Sequence, residues 1–301
     1  MTGACRMTNS LDWGVAVDLW LQQFSPALDP PFKAITYLGD ETFYLLFMPL
    51  VYWCFDRRRG ARLFILLLLS AYVNAIAKLL ADQPRPFTYD KRVRAIVPAG
   101  GGGLPSGHTQ NAVVVWGYLA FQSRRMAWWL AAGFLMIAIP VSRLYLGVHF
   151  PTDLIGGYLL GAVILILFLR LAPRLETWLA QQGWGVQILI ALAGSLLLML
   201  FNFGGDSAVL SAASVLMGVC TGFAIERRYV RFSCRGTWRK KALRYMLGVA
   251  VLFTLWSGLK ITMAGLEPAS LFRIVRYALV GLWGGVGAPW VFVRLKLADT
   301  E

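Results

Sequence analysis

Two histidines are the only imidazoles in the chain, His108 and His149. Both fall where an apolar run meets a polar segment, and four further ionisable residues stand at comparable positions: Lys78, Arg85, Arg143 and Asp153. Ionisable groups at membrane depth cost roughly 2.5–3.5 kcal/mol each on insertion scales, so those that are present tend to mark function. Lys78 closes one apolar run, and Arg85-Pro86 follows after six residues. Pro84 and Pro86 break the helix there and let Arg85 turn back beside the lysine. Two cations held close suit a dianion, and phosphate matches the arginine fork. Two side chains snorkelling to the interface would use the same residues.

A second segment reads Gly100-Gly101-Gly102-Gly103-Leu104-Pro105-Ser106-Gly107-His108. Glycines permit close approach of backbone to a ligand. Ser106 suits the N-cap of the next helix, which would aim the N–H groups of Gly107 and its neighbours outward as an anion site. No Lys-Ser/Thr follows the glycines, so this is not a nucleotide-binding P-loop; a plain flexible loop before a capped helix fits equally. The third segment runs from Ser142-Arg143 to His149 and on to Asp153. On a helix, His149 and Asp153 share a face, so the carboxylate would fix the imidazole tautomer and leave the other nitrogen free as a nucleophile. A pair that merely neutralises two buried groups is the alternative.

The elements that must position these residues are membrane helices. The chain of 301 residues is 58% hydrophobic and 15% charged, with a mean hydropathy of +0.61, whereas a soluble domain is nearer half apolar and a quarter charged. Runs such as 62–80, 154–169 and 243–261 have the length and uniformity of bilayer spans. The expected fold is all-α, a polytopic membrane helix bundle with about nine spans at 41–55, 62–80, 109–122, 126–141, 153–171, 186–202, 207–225, 243–264 and 271–293. Several are short, so tilt or local thinning is expected.

The net charge of +14 has an orientational reading, because 18 of the 29 basic residues fall after odd-numbered spans. They are Arg57, Arg58, Arg59 and Arg62, Arg124 and Arg125, Arg170 and Arg174, the set from Arg227 to Arg244, and Arg294 with Lys296. The positive-inside rule makes that side cytoplasmic, with the N-terminus outside and the C-terminus inside. No basic helix or aromatic platform accompanies the charge, so nucleic acid is not an expected partner. Cys5, Cys54, Cys220 and Cys234 form no close pair and imply neither a zinc site nor a disulfide framework. Asp12 and Asp18 stand where the apolar core of a signal peptide would lie. Residues 11–28 space Trp13, Val17, Trp20, Leu21 and Phe24 as an amphipathic helix lying on the outer leaflet, the alternatives being a short extra span or a packed cap, and Asp29-Pro30-Pro31 ends it.

Lys78-(six residues)-Arg85-Pro86, Pro105-Ser106-Gly107-His108 and Ser142-Arg143-(five residues)-His149-(three residues)-Asp153 together resemble the tripartite motif of the type 2 phosphatidic acid phosphatase superfamily. The resemblance covers residues 78–153. It implies that His149 attacks phosphorus and becomes a phosphohistidine, oriented by Asp153, while His108 protonates the leaving oxygen and then activates water. Lys78, Arg85, Arg143, Ser106 and Gly107 would hold the phosphoryl oxygens, with no metal and no cofactor. One span before the motif and about nine in all is similar to the glucose-6-phosphatase arrangement. The stretch Tyr37-Leu38-Gly39-Asp40-Glu41-Thr42-Phe43-Tyr44 resembles the corresponding opening of sphingosine-phosphate phosphatases.

The expectation is an integral-membrane phosphatase of a bacterial inner membrane or equivalent, its site on the periplasmic or luminal side. Its partners would be membrane lipids and a lipid phosphate or diphosphate substrate. The divisions are an N-terminal amphipathic segment 1–40, a phosphatase core 41–173 and a four-helix membrane extension 174–301. Alternatives are a phosphatase of a soluble phosphomonoester and a non-catalytic lipid transporter on the same fold.

Overall fold

The computed structural model describes residues 11–202, 205–266 and 268–301; Cys5 lies outside them. Helices α1 (Asp12–Gln22), α2 (Asp29–Tyr37), α3 (Glu41–Leu50), α4 (Arg57–Ala81), α5 (Pro86–Tyr89) and α6 (Gly107–Ser123) come first. Then follow α7 (Met126–Tyr145), α8 (Pro151–Ala180), α9 (Trp184–Leu200), α10 (Ser207–Ile225), α11 (Trp238–Thr262), α12 (Ala269–Leu282) and α13 (Ala288–Arg294). Wider π turns at Val51–Phe55, Glu226–Val230 and Trp283–Gly287 extend α3, α10 and α12. Among the described residues there is no strand, only an isolated antiparallel bridge between Phe232 and Thr300.

Each expected apolar segment is helical. Six stretches are long and apolar enough to cross a membrane: Arg57–Tyr89, Met126–Tyr145, Pro151–Ala180, Ser207–Val230, Trp238–Thr262 and Ala269–Arg294, while Glu41–Phe55 and Trp184–Leu200 are shorter apolar helices. The protein is an integral membrane protein of helical spans. Helix ends differ from the expectation in one systematic way. Arg57 to Arg62, Arg170, Arg174 and Arg244 lie on helices rather than in loops. At 1.5 Å per residue the 30 residues of α8 span about 45 Å, more than the ~30 Å of hydrocarbon, so helical hydrogen bonding continues after the apolar stripe has ended.

The chain forms two compact units, one drawn from Met1–Phe43 and Ile76–Leu165, the other from Tyr44–Ala75 and Ile166–Glu301. In the first, α1 does not bury the face that its aromatic residues define. Trp13, Trp20 and Phe24 are exposed, and Gly14, Val15, Asp18 and Gln22 face inward. The reason is fit: the slim Gly14 side of the helix lies against Phe150 and Pro151. Gln22 donates to the carbonyls of Arg94 and Tyr145 and accepts from the Arg94 N–H. The turn after α1 gives way to α2, where Asp29-Pro30-Pro31 begins a helix, since proline needs no N–H partner in the first turn.

In the second unit, Tyr52, Trp53, Phe232, Ala288 and Phe292 form the centre of an apolar cluster. The π turn of α12 leaves carbonyls without the usual helical donor, and Tyr52 Oη and Trp53 Nε1 supply the bonds, to Gly285 and Gly284 at 3.1 and 3.0 Å. Arg57 pairs with Glu226 at 3.0 Å and Glu301 at 3.1 Å, and Arg58 and Arg62 share Glu176. Arg244 is fully buried and donates to the carbonyls of Ser233, Cys234 and Arg235. Helices α10 and α12 meet through paired Gly-x-x-x-Gly steps, Gly218/Gly222 against Gly281/Gly285. A β-carbon at Gly218 would overlap the Ala278 carbonyl, and one at Gly281 would fall 2.5 Å from the Val215 oxygen. Between membrane helices, contact of this kind is driven by close backbone packing.

This contact makes a paired prediction. Gly218→Ala should cost about 1–3 kcal/mol through overpacking, read as a lower thermal midpoint in detergent. Gly194→Ala on α9, where a β-carbon meets nothing within 4 Å, should be neutral or gain up to about 1 kcal/mol of helix propensity. Equal shifts for the two variants would refute the backbone contact.

Candidate active site

The three segments singled out in the sequence converge within the first unit. Lys78 stands near the end of α4, Pro84 and Pro86 turn the chain, and Arg85 precedes α5 in an extended conformation. Lys78 Nζ donates to the Gly102 carbonyl at 2.5 Å. Arg85 is 7% exposed; its Nε bonds the Gly101 carbonyl at 3.0 Å, Nη2 that of Gly100 at 2.6 Å, and Nη1 that of Val148 at 2.8 Å. The glycine run thus presents carbonyls to the two cations. The physical reason is that two desolvated cations need acceptors, and only backbone without side chains comes close enough to supply three in a row. A hollow of about 360 Å³ beside this contact is walled by Gln83, Arg85, Thr88 and Gly100, and neither histidine lines it.

Ser106 caps α6. Its hydroxyl accepts from the Thr109 N–H, and its own N–H donates to the Asp153 carbonyl at 2.9 Å. The N–H groups of Gly107 and His108 belong to the first helical turn, which has no intrahelical acceptors for them. Gly157 and Gly161 of α8 let that helix close on α6, for a β-carbon at Gly157 would lie 2.7 Å from the Ser106 oxygen. This contact fixes where Asp153, one turn earlier, stands relative to Ser106.

His149 lies between α7 and α8 and is 2% exposed. Its neighbours Val148 and Phe150 are each buried in a separate apolar cluster, which holds the imidazole from both sides. His149 Nδ1 is 3.0 Å from Asp153 Oδ2. The same oxygen accepts the Phe150 N–H at 3.0 Å, and Oδ1 accepts Gln83 Nε2 at 2.5 Å. An Nδ1–H donated to Asp153 leaves the Nε2 lone pair free, and Nε2 lies 3.4 Å from Arg85 Nη1. Burial first, then the charges of Arg143, Arg85 and Lys78, push the His149 pKa well below its usual value. The imidazole is therefore neutral around pH 7.

Arg143, on α7, is 5% exposed; Nη1 donates to Thr36 Oγ1 at 2.7 Å and Nε has no acceptor. His108 Nε2 lies 3.1 Å from Asp40 Oδ1. All eight sequence-selected residues thus belong to this one unit. Lys78, Arg85, Arg143, His149 and Asp153 are linked by contact or by field, Ser106 is bonded to Asp153, and His108 reaches the group through the field of Arg143 and Lys78. Sequence reading did not assign Gln83, Thr36 or Asp40. The first two are ordinary polar residues without a pattern, whereas Asp40 belonged to a stretch already noted at 37–44. Among the described residues, no three of His, Cys, Asp and Glu converge as a metal site.

Residues 59–176 match the family described as the PAP2 superfamily, and residues 210–300 match the PAP2 superfamily phosphatase transmembrane extension. The chain is similar to mouse (Mus musculus) sphingosine-1-phosphate phosphatase 2, 30% identical over 45% of this chain and 40% of that protein. It is also similar to bovine (Bos taurus) glucose-6-phosphatase 3, 27% identical over 66% of this chain and 64% of the relative. With phosphatidylglycerophosphatase B of Bacillus subtilis (strain 168) it shares 28% identity over 47% of this chain and 74% of the relative. The match spans less than half the length of the sphingosine-1-phosphate phosphatases.

Behind the His149 segment, Asp18 of α1 is fully buried, with no hydrogen-bond partner for either carboxyl oxygen. Burial, and secondarily the charge of Asp153, raises its pKa to about 9. The unfolded chain ionises this group near 3.9 and the folded chain near 9, so its contribution to stability is full below pH ~4 and is lost as pH rises. Asp18→Asn should be more stable than wild type at pH 8, by about 1–3 kcal/mol, with the gap closing toward pH 4. Parallel curves of thermal midpoint against pH for the two proteins would contradict this account of Asp18.

Proposed function

We propose that this chain, which belongs to the PAP2 superfamily, is a membrane phosphatase that hydrolyses a lipid phosphate or diphosphate through a phosphohistidine. The observation that carries the proposal is a surplus of positive charge, with Arg85 and Arg143 buried and Lys78 half-buried. Lys78, Arg85 and Arg143 surround His149, and none of them has a carboxylate within 4.0 Å among the described ion pairs. Carbonyls and one hydroxyl hold them instead. Buried cations left without counter-charge are costly, and a phosphate dianion would supply both the charge and the acceptors.

In the first step the His149 Nε2 lone pair forms a bond to phosphorus as the bond to the leaving oxygen breaks, and His108 gives that oxygen a proton. Asp153 stabilises the cationic ring that results. Lys78, Arg85 and Arg143, with Ser106 and the Gly107 N–H, hold the three phosphoryl oxygens as charge moves among them. In the second step His108 takes a proton from water, the water oxygen attacks phosphorus, the P–N bond breaks and phosphate leaves. Neutral His149 suits the first step because only the unprotonated nitrogen is a nucleophile.

The charge distribution along the sequence supports an outer-face site, periplasmic or luminal, with the N-terminus on that side and the C-terminus cytoplasmic. Motif residues at the ends of apolar helices favour a lipid whose headgroup reaches the site from the membrane. The core would be 41–173, preceded by the segment 1–40, with 174–301 as the extension that completes the membrane part. A soluble phosphomonoester is the second reading, favoured by the longer shared stretch with bovine glucose-6-phosphatase 3.

Detergent-purified protein should release phosphate from a lipid phosphate in EDTA, and His149→Ala should lose at least about 10³-fold. His108→Ala should slow turnover about 10²–10⁴-fold and, with labelled substrate, leave an acid-labile, alkali-stable phosphoenzyme. A panel of sphingosine phosphate, phosphatidylglycerophosphate, a polyprenyl diphosphate and glucose 6-phosphate separates the two readings. A folded wild type that releases phosphate from none of them would end the phosphatase assignment.

A further inference from the structure

His108 has to be protonated when the P–O bond breaks if it is to protonate a leaving oxygen, and its surroundings in the absence of substrate work against that. The groups that face it are Arg143 from α7, Lys78 from the end of α4, His149 ahead of α8, and Asp40 from the turn between α2 and α3. Two of these are cations and one is a neutral imidazole, so Asp40 is the single negative charge in the set. His108 precedes the apolar stretch 109–122, and burial together with Arg143 and Lys78 lowers its pKa to about 4, the bond and the charge of Asp40 opposing the shift without cancelling it.

The placement of Asp40 is built rather than incidental. Backbone bonds from Leu38, Gly39 and Asp40 back to Ile35, Thr36 and Tyr37 close the end of α2 into a tight turn. Gly39 lets this turn press on the imidazole, since a β-carbon there would lie 2.8 Å from His108 Cδ2 and 2.9 Å from Ile139 Cγ2. The contact from Asp40 Oδ1 to His108 Nε2 is 3.1 Å. Turning the ring over would put carbon in place of Nε2, so only this orientation gives the hydrogen bond. Four residues before Asp40, Thr36 Oγ1 accepts from Arg143, so one short turn touches both the acid and a phosphate-binding cation. The Asp40 side chain is 43% exposed, open to solvent and able to yield its place beside Nε2.

We infer that Asp40 is the positioning residue of His108, keeping the Nε2–H of the imidazole turned toward its carboxylate and favouring full protonation of the ring once a phosphate dianion offsets Arg143 and Lys78, until the substrate's ester oxygen takes the place of that carboxylate. The inference rests on the phosphatase reading above. As the P–O bond breaks, the Nε2 proton passes to the leaving oxygen. When water attacks the phosphohistidine, a water proton returns to Nε2, and Asp40 stays a carboxylate throughout. The stretch 37–44 is thereby given a task that the three motif segments do not cover.

The test uses the full-length protein and two substrates, an alkyl lipid phosphate and p-nitrophenyl phosphate, whose leaving group departs without a proton. Asp40→Asn should lower kcat on the alkyl phosphate about 10–100-fold and move the alkaline limb of its pH profile down by about one unit. On p-nitrophenyl phosphate the same variant should lose less than about 3-fold, as expected when proton donation is not needed. Asp40→Glu should recover most of the alkyl activity. Equal losses on both substrates, or an unmoved pH profile, would overturn the inference while leaving the phosphatase reading intact. A wild type inactive on both would sink that reading instead. In that case NMR titration of His108, identified by comparison with His149→Gln, still decides whether Asp40 holds its proton, since Asp40→Asn must then lower its midpoint.

Discussion

Asp153 is a carboxylate without exposure, and such a group is tolerable only when its lone pairs are taken. Here the acceptor positions are filled by His149 Nδ1, the Phe150 N–H and Gln83 Nε2, while its backbone carbonyl takes the Ser106 N–H. The four donors come from three parts of the chain: the loop before α8, the proline turn after α4, and the start of α6. Satisfying one buried acid therefore fixes the relative places of the three segments. The imidazole tautomer, the α6 N-terminus and the Arg85 turn all follow from it.

Arginine meets two fates in this protein, and the contrast bears on function. In the unit that holds α9 to α13, Arg57, Arg58 and Arg62 are closed by Glu226, Glu301 and Glu176. In the unit of the candidate site, Arg85 and Arg143 are more deeply buried and yet have only neutral acceptors. Paired arginines settle structure. Arg244 is also buried on carbonyls alone, so neutral acceptors by themselves do not mark a site; Arg85 and Arg143 differ in standing with Lys78 around one imidazole, where the unpaired charge keeps an attraction for an anion and the carbonyls of Gly100, Gly101 and Val148 bear its cost. Hence the site can be electropositive without unravelling.

Helix α1 shows a limit of reading faces from polarity. Its aromatic residues define a face that suits an outer leaflet as well as a packed cap, and the side that packs on the protein carries Gly14, Asp18 and Gln22. Hydrophobic periodicity ranks faces by their transfer energy from water. Steric fit decides which side turns inward here, the slim Gly14 side lying against Phe150 and Pro151. Asp18 is accommodated there as a neutral acid.

Residue type and spacing alone settled the helical class and the apolar segments, and together with the family resemblance they singled out the eight candidates His149, His108, Asp153, Lys78, Arg85, Ser106, Gly107 and Arg143. These are local properties: an apolar run needs no partner to be recognised, and proline, glycine and an i, i+4 pair act within a turn or two. Tertiary structure alone decided that the glycine run offers carbonyls, that Gln83 and Thr36 steady Asp153 and Arg143, and that Asp40 reaches His108 across 68 residues of chain. It also set the meeting of Gly218/Gly222 with Gly281/Gly285. Such pairings depend on which surfaces come within about 3 Å of each other in three dimensions, and that distance is a property of packed helices, absent from the order of residues along any one of them.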